Sequence, residues 1–309
     1  MKRFSIAIHG GAGTLVKGTM TTKLEQQYKA ALKLALDIGY ETLKSGKTAI
    51  EAVENAVIAL EDSPLFNAGK GSVFTAKEKH EMDAAIMDGE TLNAGAVSLI
   101  SGIKNPISLA RDVMEKSEHV FLAGEGAMSF AKELNYTLEA DTYFYDEFRY
   151  NQWLEIKGSE TFQLDHSIKK DSKFGTVGAV ACDQNGNVAA ATSTGGMTNK
   201  KWGRVGDSPM IGAGTYANNK TCAVSCTGSG EFFIRSVAAY DVSCLMEHKG
   251  FSVEDASNEV IHNRILKING DGGLIAVDNK ANIAMPFNTE GMYRAYKSSN
   301  GHEEIAIYK

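Results

Sequence analysis

The sequence has few cysteines, no concentration of positive charge and no long apolar run. Its cysteines show no Cys-x-x-Cys spacing, which argues against a disulfide framework or a zinc site and predicts buried, reduced thiols at Cys182, Cys222, Cys226 and Cys244. The net charge of −6 and the lack of clustered Lys and Arg argue against a nucleic-acid partner. The adjacent residues Lys200 and Lys201 are interpreted as a solvated turn.

Membrane and export signals are also missing. No apolar stretch approaches the roughly 20 residues of a membrane span. The apolar stretch at the N-terminus ends in glycines after a few residues, which is too short for a secretory signal. We therefore expect no membrane partner and a cytoplasmic location.

No catalytic triad is recognisable. No serine stands in the Gly-x-Ser-x-Gly pattern of a nucleophile elbow, so the seven histidines have no obvious serine to activate. His9, beside the glycines at 10–13, is interpreted as a structural, hydrogen-bonding histidine. Catalysis without a histidine base would point toward a free amine as the base.

What the sequence does contain is enough apolar material for a large core. Apolar residues make up 43% of the 309 residues, which suits one large domain or two small ones. Strands and helices are each predicted in groups, which favours two stacked, antiparallel-rich sheets with helices outside. Periodicity predicts helices at 21–43, 48–60, 106–114, 231–248 and 252–264, and strands at 3–9, 82–87, 94–99, 176–183, 187–194, 209–216, 221–226, 273–277 and 283–286.

The residue composition of the sequence changes at Thr176. Residues from about 138 to 174 are polar and aromatic by turns, and they are interpreted as a mobile surface linker. Thr176 follows Gly175 and opens a strand, which is an ordinary place for a structural Thr. Gly175, however, would permit a strained scissile bond. If that bond is cut, Thr176 gains an amine with a pKa of roughly 8 that could activate its own hydroxyl.

Two further motifs contain groups suited to assist a hydroxyl nucleophile. Thr194 ends the strand that pairs with the Thr176 strand, so its hydroxyl could bond to the nucleophile; a Ser/Thr-rich strand end is an equally good interpretation. Thr227 and Gly228 follow a strand and open a helix, where they could donate to an oxyanion. An ordinary glycine-rich turn is at least as common there.

A third motif contains opposite charges close together. Arg204 and Asp207 lie three residues apart in a loop bounded by Gly and Pro. An Arg can clamp a carboxylate in a bidentate manner, and an Asp can accept an ammonium group. Together they could recognise an α-amino acid, or they could simply pair with each other.

Five motifs, in this order along the chain, resemble those of the isoaspartyl peptidase/L-asparaginase family, the plant-type asparaginases. The resemblance covers essentially the whole chain, and an ordered set of motifs is more specific than any one of them. The motifs are Pro64-Leu-Phe-Asn-Ala-Gly-Lys-Gly, Gly175-Thr-Val-Gly-Ala-Val-Ala, Ala191-Thr-Ser-Thr-Gly-Gly, Gly203-Arg-Val-Gly-Asp-Ser-Pro and Cys226-Thr-Gly-Ser-Gly-Glu.

The resemblance implies an α+β fold, the four-layer αββα sandwich of the N-terminal nucleophile hydrolases. It implies self-cleavage into an α subunit (1–175) and a β subunit (176–309) that form one domain and assemble as a dimer of αβ heterodimers. The substrates would be β-aspartyl dipeptides and L-asparagine, hydrolysed without a catalytic cofactor. Thr176 would be the nucleophile, Thr194 its hydrogen-bonding neighbour and Asn67 its support.

The resemblance also implies how the substrate is held. Arg204 would bind its α-carboxylate, while Asp207 and the Gly230 carbonyl would bind its α-amine. Thr227 and Gly228 would form the oxyanion hole, and Gly228 would also line the substrate site. A structural sodium ion would be bound, mostly by main-chain carbonyls, at Leu60, Glu61, Ser63, Phe66, Ala68 and Lys70.

Two rival functions stay open on the sequence. A glycosylasparaginase-type amidase would share the fold and the nucleophile, but such proteins tend to be exported and disulfide-bonded. A non-catalytic protein would remain uncut and use the pocket at Arg204 and Asp207 to bind an amino acid.

Overall fold

The computed structural model describes residues 2–157 and 175–309. Its helices are α1 Thr22–Lys44, α2 Ala49–Glu61, α3 Pro106–Lys116, α4 Gly124–Glu133, α5 Asp141–Phe144, α6 Glu147–Ile156, α7 Gly230–Ser236, α8 Ala238–Lys249 and α9 Val253–Asn258, the last continued by a π-helical turn at Glu259–Ile265. Its strands are β1 Ser5–Gly13, β2 Met82–Asp88, β3 Ala94–Ile100, β4 Phe121–Ala123, β5 Val177–Cys182, β6 Val188–Thr194, β7 Thr215–Ala217, β8 Cys222–Gly228, β9 Gly272–Asp278, β10 Ile283–Ala284, β11 Gly291–Ser298 and β12 Glu303–Tyr308.

The strands form two sheets. The larger has eight strands in the order β12-β11-β1-β5-β6-β2-β3-β4, and the smaller has four in the order β10-β9-β8-β7. Neighbouring strands are antiparallel except β3 and β4. Strands β5 and β6, which follow Thr176, lie between β1 and β2, which precede it. The segments on the two sides of the predicted cut therefore share one sheet.

Three apolar clusters hold the sheets and helices together. One packs α1 to α4 against the large sheet, and another packs α7 to α9 against the small sheet. The third lies between the sheets and includes Val180, Ala190 and Ile275. Small residues allow the sheets to approach closely: a Cβ on Gly178 would lie only 2.0 Å from Ser225 Oγ. A mixed α and β fold with antiparallel-rich sheets is thereby confirmed.

Local signals explain several elements. Helix α2 begins at a capping box in which Thr48 and Glu51 bond reciprocally to each other's backbone N–H groups. Strands β5 and β6 pair as the predicted hairpin, and Gly186 in its turn has a φ of +85°, a conformation that favours glycine. No helix within the two described ranges is long and apolar enough to cross a membrane.

The predicted linker is wrong over its first half. Residues 141–156 form the short helices α5 and α6, and Phe144, Arg149 and Trp153 are buried. Their apolar and aromatic side chains pack beside the rest of the core, which the weak periodicity of the segment did not indicate. The other half of the predicted linker, residues 158–174, lies outside the described residues.

Other predicted elements need correction. The strand predicted at 209–216 shrinks to the three residues of β7, and the helix predicted at 231–248 is interrupted at Val237, which has a φ of +50°. The glycines at 10–13 continue β1, with a shift of register between His9 and Gly11, rather than ending it. Strands β4, β11 and β12 were not predicted.

The cysteines are all free. Cys182, Cys222 and Cys226 are buried as predicted, whereas Cys244 is only half-buried. Cys222 and Cys226 lie in the cluster between the small sheet and its helices.

Candidate active site

Thr176 lies at the end of the large sheet, just before β5. Its side chain is buried, and its Oγ1 lies 3.2 Å from Ser208 Oγ. Gly175, across the predicted scissile bond, packs on Gly11: a Cβ on Gly175 would lie 2.2 Å from Gly11 Cα. Gly11 has a φ of +114°, which favours glycine. The backbones of Gly11 and Gly175 are therefore in direct contact beside this bond, and neither glycine has room for a side chain.

His9 contacts Thr176 from β1. Its buried imidazole has Nδ1 2.9 Å from the Thr176 carbonyl oxygen and Nε2 2.9 Å from Ser225 Oγ. Burial lowers the pKa of His9 to about 3, so the ring is neutral. Because a carbonyl oxygen only accepts, Nδ1 carries the proton and Nε2 accepts from Ser225. Both nitrogens are engaged, which confirms the structural role predicted for His9.

Thr194 lies beside Thr176 at the same end of the sheet, since the strands β5 and β6 pair there. The structure contains no hydrogen bond between these two hydroxyls among the described residues. Thr194 Oγ1 instead accepts a hydrogen bond from the N–H of Gly196 at 3.0 Å. The hydroxyl that contacts Thr176 Oγ1 belongs to Ser208, which the sequence analysis did not single out although it follows Asp207 directly.

Asn67 fastens the turn that follows Thr194. Its carbonyl oxygen accepts from Gly195 N at 3.0 Å, and its side-chain Nδ2 donates to Gly196 O at 2.7 Å. The side-chain oxygen accepts from Val73 N at 3.1 Å. Asn67 therefore connects the segment after α2 to the end of β6.

Arg204 pairs with Glu231 rather than with Asp207. Its Nε and Nη2 lie 2.9 Å from the two carboxylate oxygens of Glu231. Gly230 lies against both predicted substrate-binding side chains: a Cβ there would lie 2.7 Å from Asp207 Oδ1 and 3.0 Å from Arg204 Nη2. The structure therefore brings Arg204, Asp207 and Gly230 together.

Asp207 is buried, and burial raises the pKa of its carboxyl to about 7, against the opposing effect of Arg204. Its Oδ2 has no hydrogen-bond partner among the described residues. A buried acceptor without a donor is costly. The arrangement suits an incoming group that brings both positive charge and N–H donors.

Thr227 and Gly228 end β8 near the glycine-rich part of β1. Thr227 is fully buried, and its Oγ1 accepts from Ala12 N at 3.3 Å. Gly228 has a φ of +147°, and a Cβ there would lie 2.4 Å from Asp271 O. Since Gly11 contacts Gly175 and the next residue bonds to Thr227, the predicted oxyanion donors lie close to the predicted scissile bond.

Several main-chain carbonyls of the segment 60–70 lie close to Gly69 and Gly71. A Cβ on Gly69 would lie 2.6 Å from Glu61 O, and one on Gly71 would lie 2.1 Å from Phe66 O and 2.7 Å from Pro64 O. Hard cations prefer such oxygens. No group of three or more His, Cys, Asp or Glu side chains within 2–157 and 175–309 could hold a metal ion. Carbonyls are the ligand type expected of the predicted cation site, and Pro64 adds a carbonyl that was not among the predicted ligands.

The other predicted ligands of this segment have defined neighbours. The carbonyls of Leu60 and Ala68 accept from the N–H groups of Ser63 and Gly71 at 3.2 Å and 3.1 Å. The Lys70 side chain lies with Nζ 5.3 Å from the centre of the Tyr143 ring. An ammonium group has no lone pair to offer, so only the main-chain carbonyl of Lys70 could bind a cation.

A buried ion pair lies behind Thr194. Lys200 Nζ donates to Glu81 O at 2.7 Å and lies 3.8 Å from Asp83 Oδ2. The interpretation of Lys200 as part of a solvated turn is wrong, because its side chain is only 1% exposed. Nothing in the local sequence indicates burial, since the partner carboxylate comes from β2.

Comparisons with known proteins identify the family of the chain. A sequence model of the asparaginase family matches residues 2–307. The chain belongs to the asparaginase family. It is 49% identical over 312 residues to the isoaspartyl peptidase of Escherichia coli (strain K12), with 100% of this chain and 97% of that protein covered.

Other members of the asparaginase family are similar over nearly their full lengths. The chain is 40% identical over 330 residues to a probable isoaspartyl peptidase/L-asparaginase 2 of Arabidopsis thaliana, with 100% of both covered. It is 43% identical over 313 residues to the plant-type L-asparaginase of Pyrococcus horikoshii, with 97% of this chain and 98% of that protein covered. The predicted family is confirmed, and the chain is a hydrolase of the asparaginase family.

Proposed function

We propose that this hydrolase cuts its own chain between Gly175 and Thr176 and then uses Thr176 to hydrolyse β-aspartyl amide bonds in isoaspartyl dipeptides and L-asparagine. One contact carries the proposal: Thr176 Oγ1 lies 3.2 Å from the hydroxyl of Ser208, which directly follows Asp207. The proposed nucleophile therefore contacts the residue that follows Asp207, whose buried carboxyl is suited to an α-amine. The names of the relatives, isoaspartyl peptidase and L-asparaginase, support the same substrates.

In the uncut chain, the Thr176 hydroxyl adds to the carbonyl carbon of Gly175. The C–N bond breaks, an ester joins Gly175 to the Thr176 side chain, and the hydroxyl proton passes to the released amine. Water then hydrolyses the ester, which leaves a carboxyl group on Gly175 and restores the hydroxyl. The close contact of Gly175 with Gly11 supports this step, because it fixes the scissile bond by direct backbone packing.

In the cut protein, the free amine of Thr176 acts as the base, since its ordinary pKa is roughly 8. It takes the hydroxyl proton as Oγ1 attacks the side-chain amide carbon, and the proton passes to the departing amine or ammonia. Water hydrolyses the resulting aspartyl ester and releases aspartate. Thr227 and Gly228 donate to the oxyanion, while Thr194 and Asn67 hold the surroundings of the nucleophile.

The α-carboxylate and α-amine of the substrate bind beside Gly230. Arg204 engages Glu231 through Nε and Nη2, which holds the guanidinium plane and leaves Nη1 for the incoming carboxylate. The Asp207 carboxylate and the Gly230 carbonyl accept from the ammonium group. The positive charge of the substrate ammonium group stabilises the Asp207 carboxylate, which burial would otherwise disfavour.

The architecture and assembly belong to the same proposal. The three apolar clusters support an αββα sandwich of the N-terminal nucleophile type, and the shared sheet supports subunits 1–175 and 176–309 that stay together as one domain. The carbonyls around Gly69 and Gly71 support a structural sodium ion. A dimer of two such heterodimers and a cytoplasmic location stay predictions.

The proposal is tested on the wild-type protein by denaturing electrophoresis, mass spectrometry and aspartate assays. We expect two fragments, 1–175 and 176–309, the second beginning with Thr176, and aspartate release from β-aspartyl-leucine and L-asparagine. An uncut chain that binds aspartate without releasing any would indicate an amino-acid-binding protein. Cut protein that acts only on glycosylated asparagine would indicate a glycosylasparaginase.

The pH dependence of kcat/KM should reveal Asp207. Its pKa is about 7, and only the carboxylate attracts the substrate ammonium group, so binding weakens as the pH falls below that value. The Thr176 amine must also be neutral, which favours a pH above roughly 8. We expect log(kcat/KM) to rise with a slope of about 2 below pH ~7 and about 1 between ~7 and ~8.

The variant Asp207→Asn provides the matched control. It removes one titrating group and keeps the shape of the side chain, so the slope at low pH should fall to about 1 while absolute activity also falls. A slope that stays near 2 in this variant would assign the second titration to another residue.

A further inference from the structure

A series of hydrogen-bonding contacts between buried polar groups connects the carbonyl of Thr176 to its own side chain. We call it the Thr176 ring. From the Thr176 carbonyl it passes through both nitrogens of the neutral His9 imidazole and then through three hydroxyls. It ends with the carbonyl and the hydroxyl of Ser208, which contacts the Thr176 side chain. Its contacts are Thr176 O to His9 Nδ1 at 2.9 Å, His9 Nε2 to Ser225 Oγ at 2.9 Å, Ser225 Oγ to Thr192 Oγ1 at 2.7 Å, Thr192 Oγ1 to Thr215 Oγ1 at 2.6 Å, Thr215 Oγ1 to Ser208 O at 2.9 Å, and Ser208 Oγ to Thr176 Oγ1 at 3.2 Å.

The Thr176 ring lies between the two sheets. Its members come from β1, β6, β7, β8 and the loop before β7, and all of them are buried. Gly178 makes room for it, since a Cβ there would lie 2.0 Å from Ser225 Oγ and 2.5 Å from His9 Nε2. Buried polar groups that lose a partner cannot turn to water for another. The ring members are therefore confined to their present orientations.

Proton counting fixes the direction of the hydroxyl part of the ring. His9 is neutral with its proton on Nδ1, so Ser225 donates to Nε2. Each hydroxyl has one proton, so Thr192 donates to Ser225, and Thr215 donates to either Thr192 Oγ1 or the Ser208 carbonyl, whichever its single proton faces. None of these bonds uses the Ser208 hydroxyl. Among the described residues, its hydrogen-bond partner is Thr176 Oγ1.

The backbone of Ser208 has a second anchor. Gly214 packs so closely that a Cβ there would lie 2.4 Å from Asp207 O and 2.8 Å from Ser208 Cα. The Gly214 carbonyl in turn accepts from Cys226 N at 2.9 Å in β8. Ser208 is thus held by the small sheet while its hydroxyl contacts Thr176, the residue just before β5 of the large sheet.

We propose that Ser208 is a positioning residue that sets the rotamer of Thr176. Its hydroxyl directs Thr176 Oγ1 toward the Gly175 carbonyl before the cut and toward the substrate amide afterwards, and the Thr176 ring keeps Ser208 in place. This inference rests on the proposed function of Thr176. Reaction rates respond steeply to such alignment: a misplacement of about 1 Å can cost about 100-fold.

The test compares Ser208→Ala with Thr215→Val, which removes a ring hydroxyl away from the nucleophile at nearly constant size. Cutting is followed on freshly translated chains by denaturing electrophoresis, and kcat and KM for β-aspartyl-leucine are measured after cutting is complete. We expect Ser208→Ala to slow cutting by about 100-fold and to lower kcat by at least about tenfold, with KM changed less than about twofold. Thr215→Val should act in the same direction, and the double variant should be little slower than Ser208→Ala.

The matched control is Ser257→Ala in α9, another buried serine, whose hydroxyl has no partner among the described residues. It should cut and turn over at the wild-type rate. Wild-type rates in Ser208→Ala would overturn the inference, as would equal slowing in Ser257→Ala with a matching loss of thermal stability. A rise in KM alone would overturn it too, because it would place Ser208 with Asp207 in substrate binding. Failure of the wild type itself to cut at 175–176 would refute the proposed function, and this inference with it, before any variant is compared.

Discussion

Thr176→Ala should remain a single chain of 309 residues and should release no measurable aspartate from L-asparagine or β-aspartyl-leucine. The substitution removes the one oxygen that is proposed to attack both the Gly175 carbonyl and the substrate. No neighbouring group can replace it, since Ser208 is the positioning hydroxyl and both nitrogens of His9 are engaged. Removing the serine nucleophile of a serine hydrolase costs about 10⁶-fold in kcat. Intact mass measurement and a coupled aspartate assay read out the two effects.

Two comparisons make this result specific. Thr176→Ser keeps the hydroxyl and should still be cut. Thr42→Ala removes a buried hydroxyl that donates to Ile38 O in α1 at 2.8 Å and accepts from Asn55 Nδ2 in α2 at 3.3 Å, and this variant should be cut normally. Cleavage at 175–176 in Thr176→Ala, or aspartate release by the uncut variant, would remove Thr176 from the mechanism.

Lys200→Met should lower the free energy of unfolding by about 3–5 kcal/mol. The Lys200 and Asp83 side chains are 1% and 0% exposed, so removing the ammonium leaves a buried carboxylate without its counter-charge. Burial lowers the pKa of Lys200, while Asp83 opposes that effect by favouring the charged ammonium. Chemical denaturation in the Thr176→Ala background measures the change on one uncut chain, so that self-cleavage does not complicate unfolding.

The controls separate charge from packing. Lys200→Met combined with Asp83→Asn removes both charges and should recover much of the lost stability. Lys220→Met, at an exposed position, should change the free energy of unfolding by less than about 0.5 kcal/mol. A loss below about 1 kcal/mol in Lys200→Met would mean that the ion pair is not what holds this region.

The parts of the fold that sequence predicts well are those whose cause is local. Helix α2 combines a capping box with apolar periodicity, and the β5–β6 hairpin combines alternation with a Gly186 turn. Strand β11 is different: it pairs with β1, which is nearly 300 residues away in sequence. Its partly exposed residues show no clear alternation, so only the completed sheet identifies it.

The candidate site divides in the same way. Motifs indicated Thr176, Arg204 and Asp207, because a chemical role requires particular residue types in a particular order. The contacts of His9 and Ser208 with Thr176 arise where the sheets stack, and no neighbouring residue in the sequence encodes that distance. These buried polar residues become part of the site only because the two sheets pack on each other.

The interleaved strand order determines how the cut protein comes apart. Strand β1 bonds to both β5 and β11, and β6 bonds to β2, so three ladders join the proposed subunits within one sheet. After the cut, no peptide bond connects them, and unfolding yields two molecules from one. The equilibrium between the folded heterodimer and its two unfolded fragments then depends on protein concentration, and dilution favours the unfolded fragments. The midpoint of thermal unfolding should therefore fall as the cut protein is diluted, whereas that of the intact chain should not change.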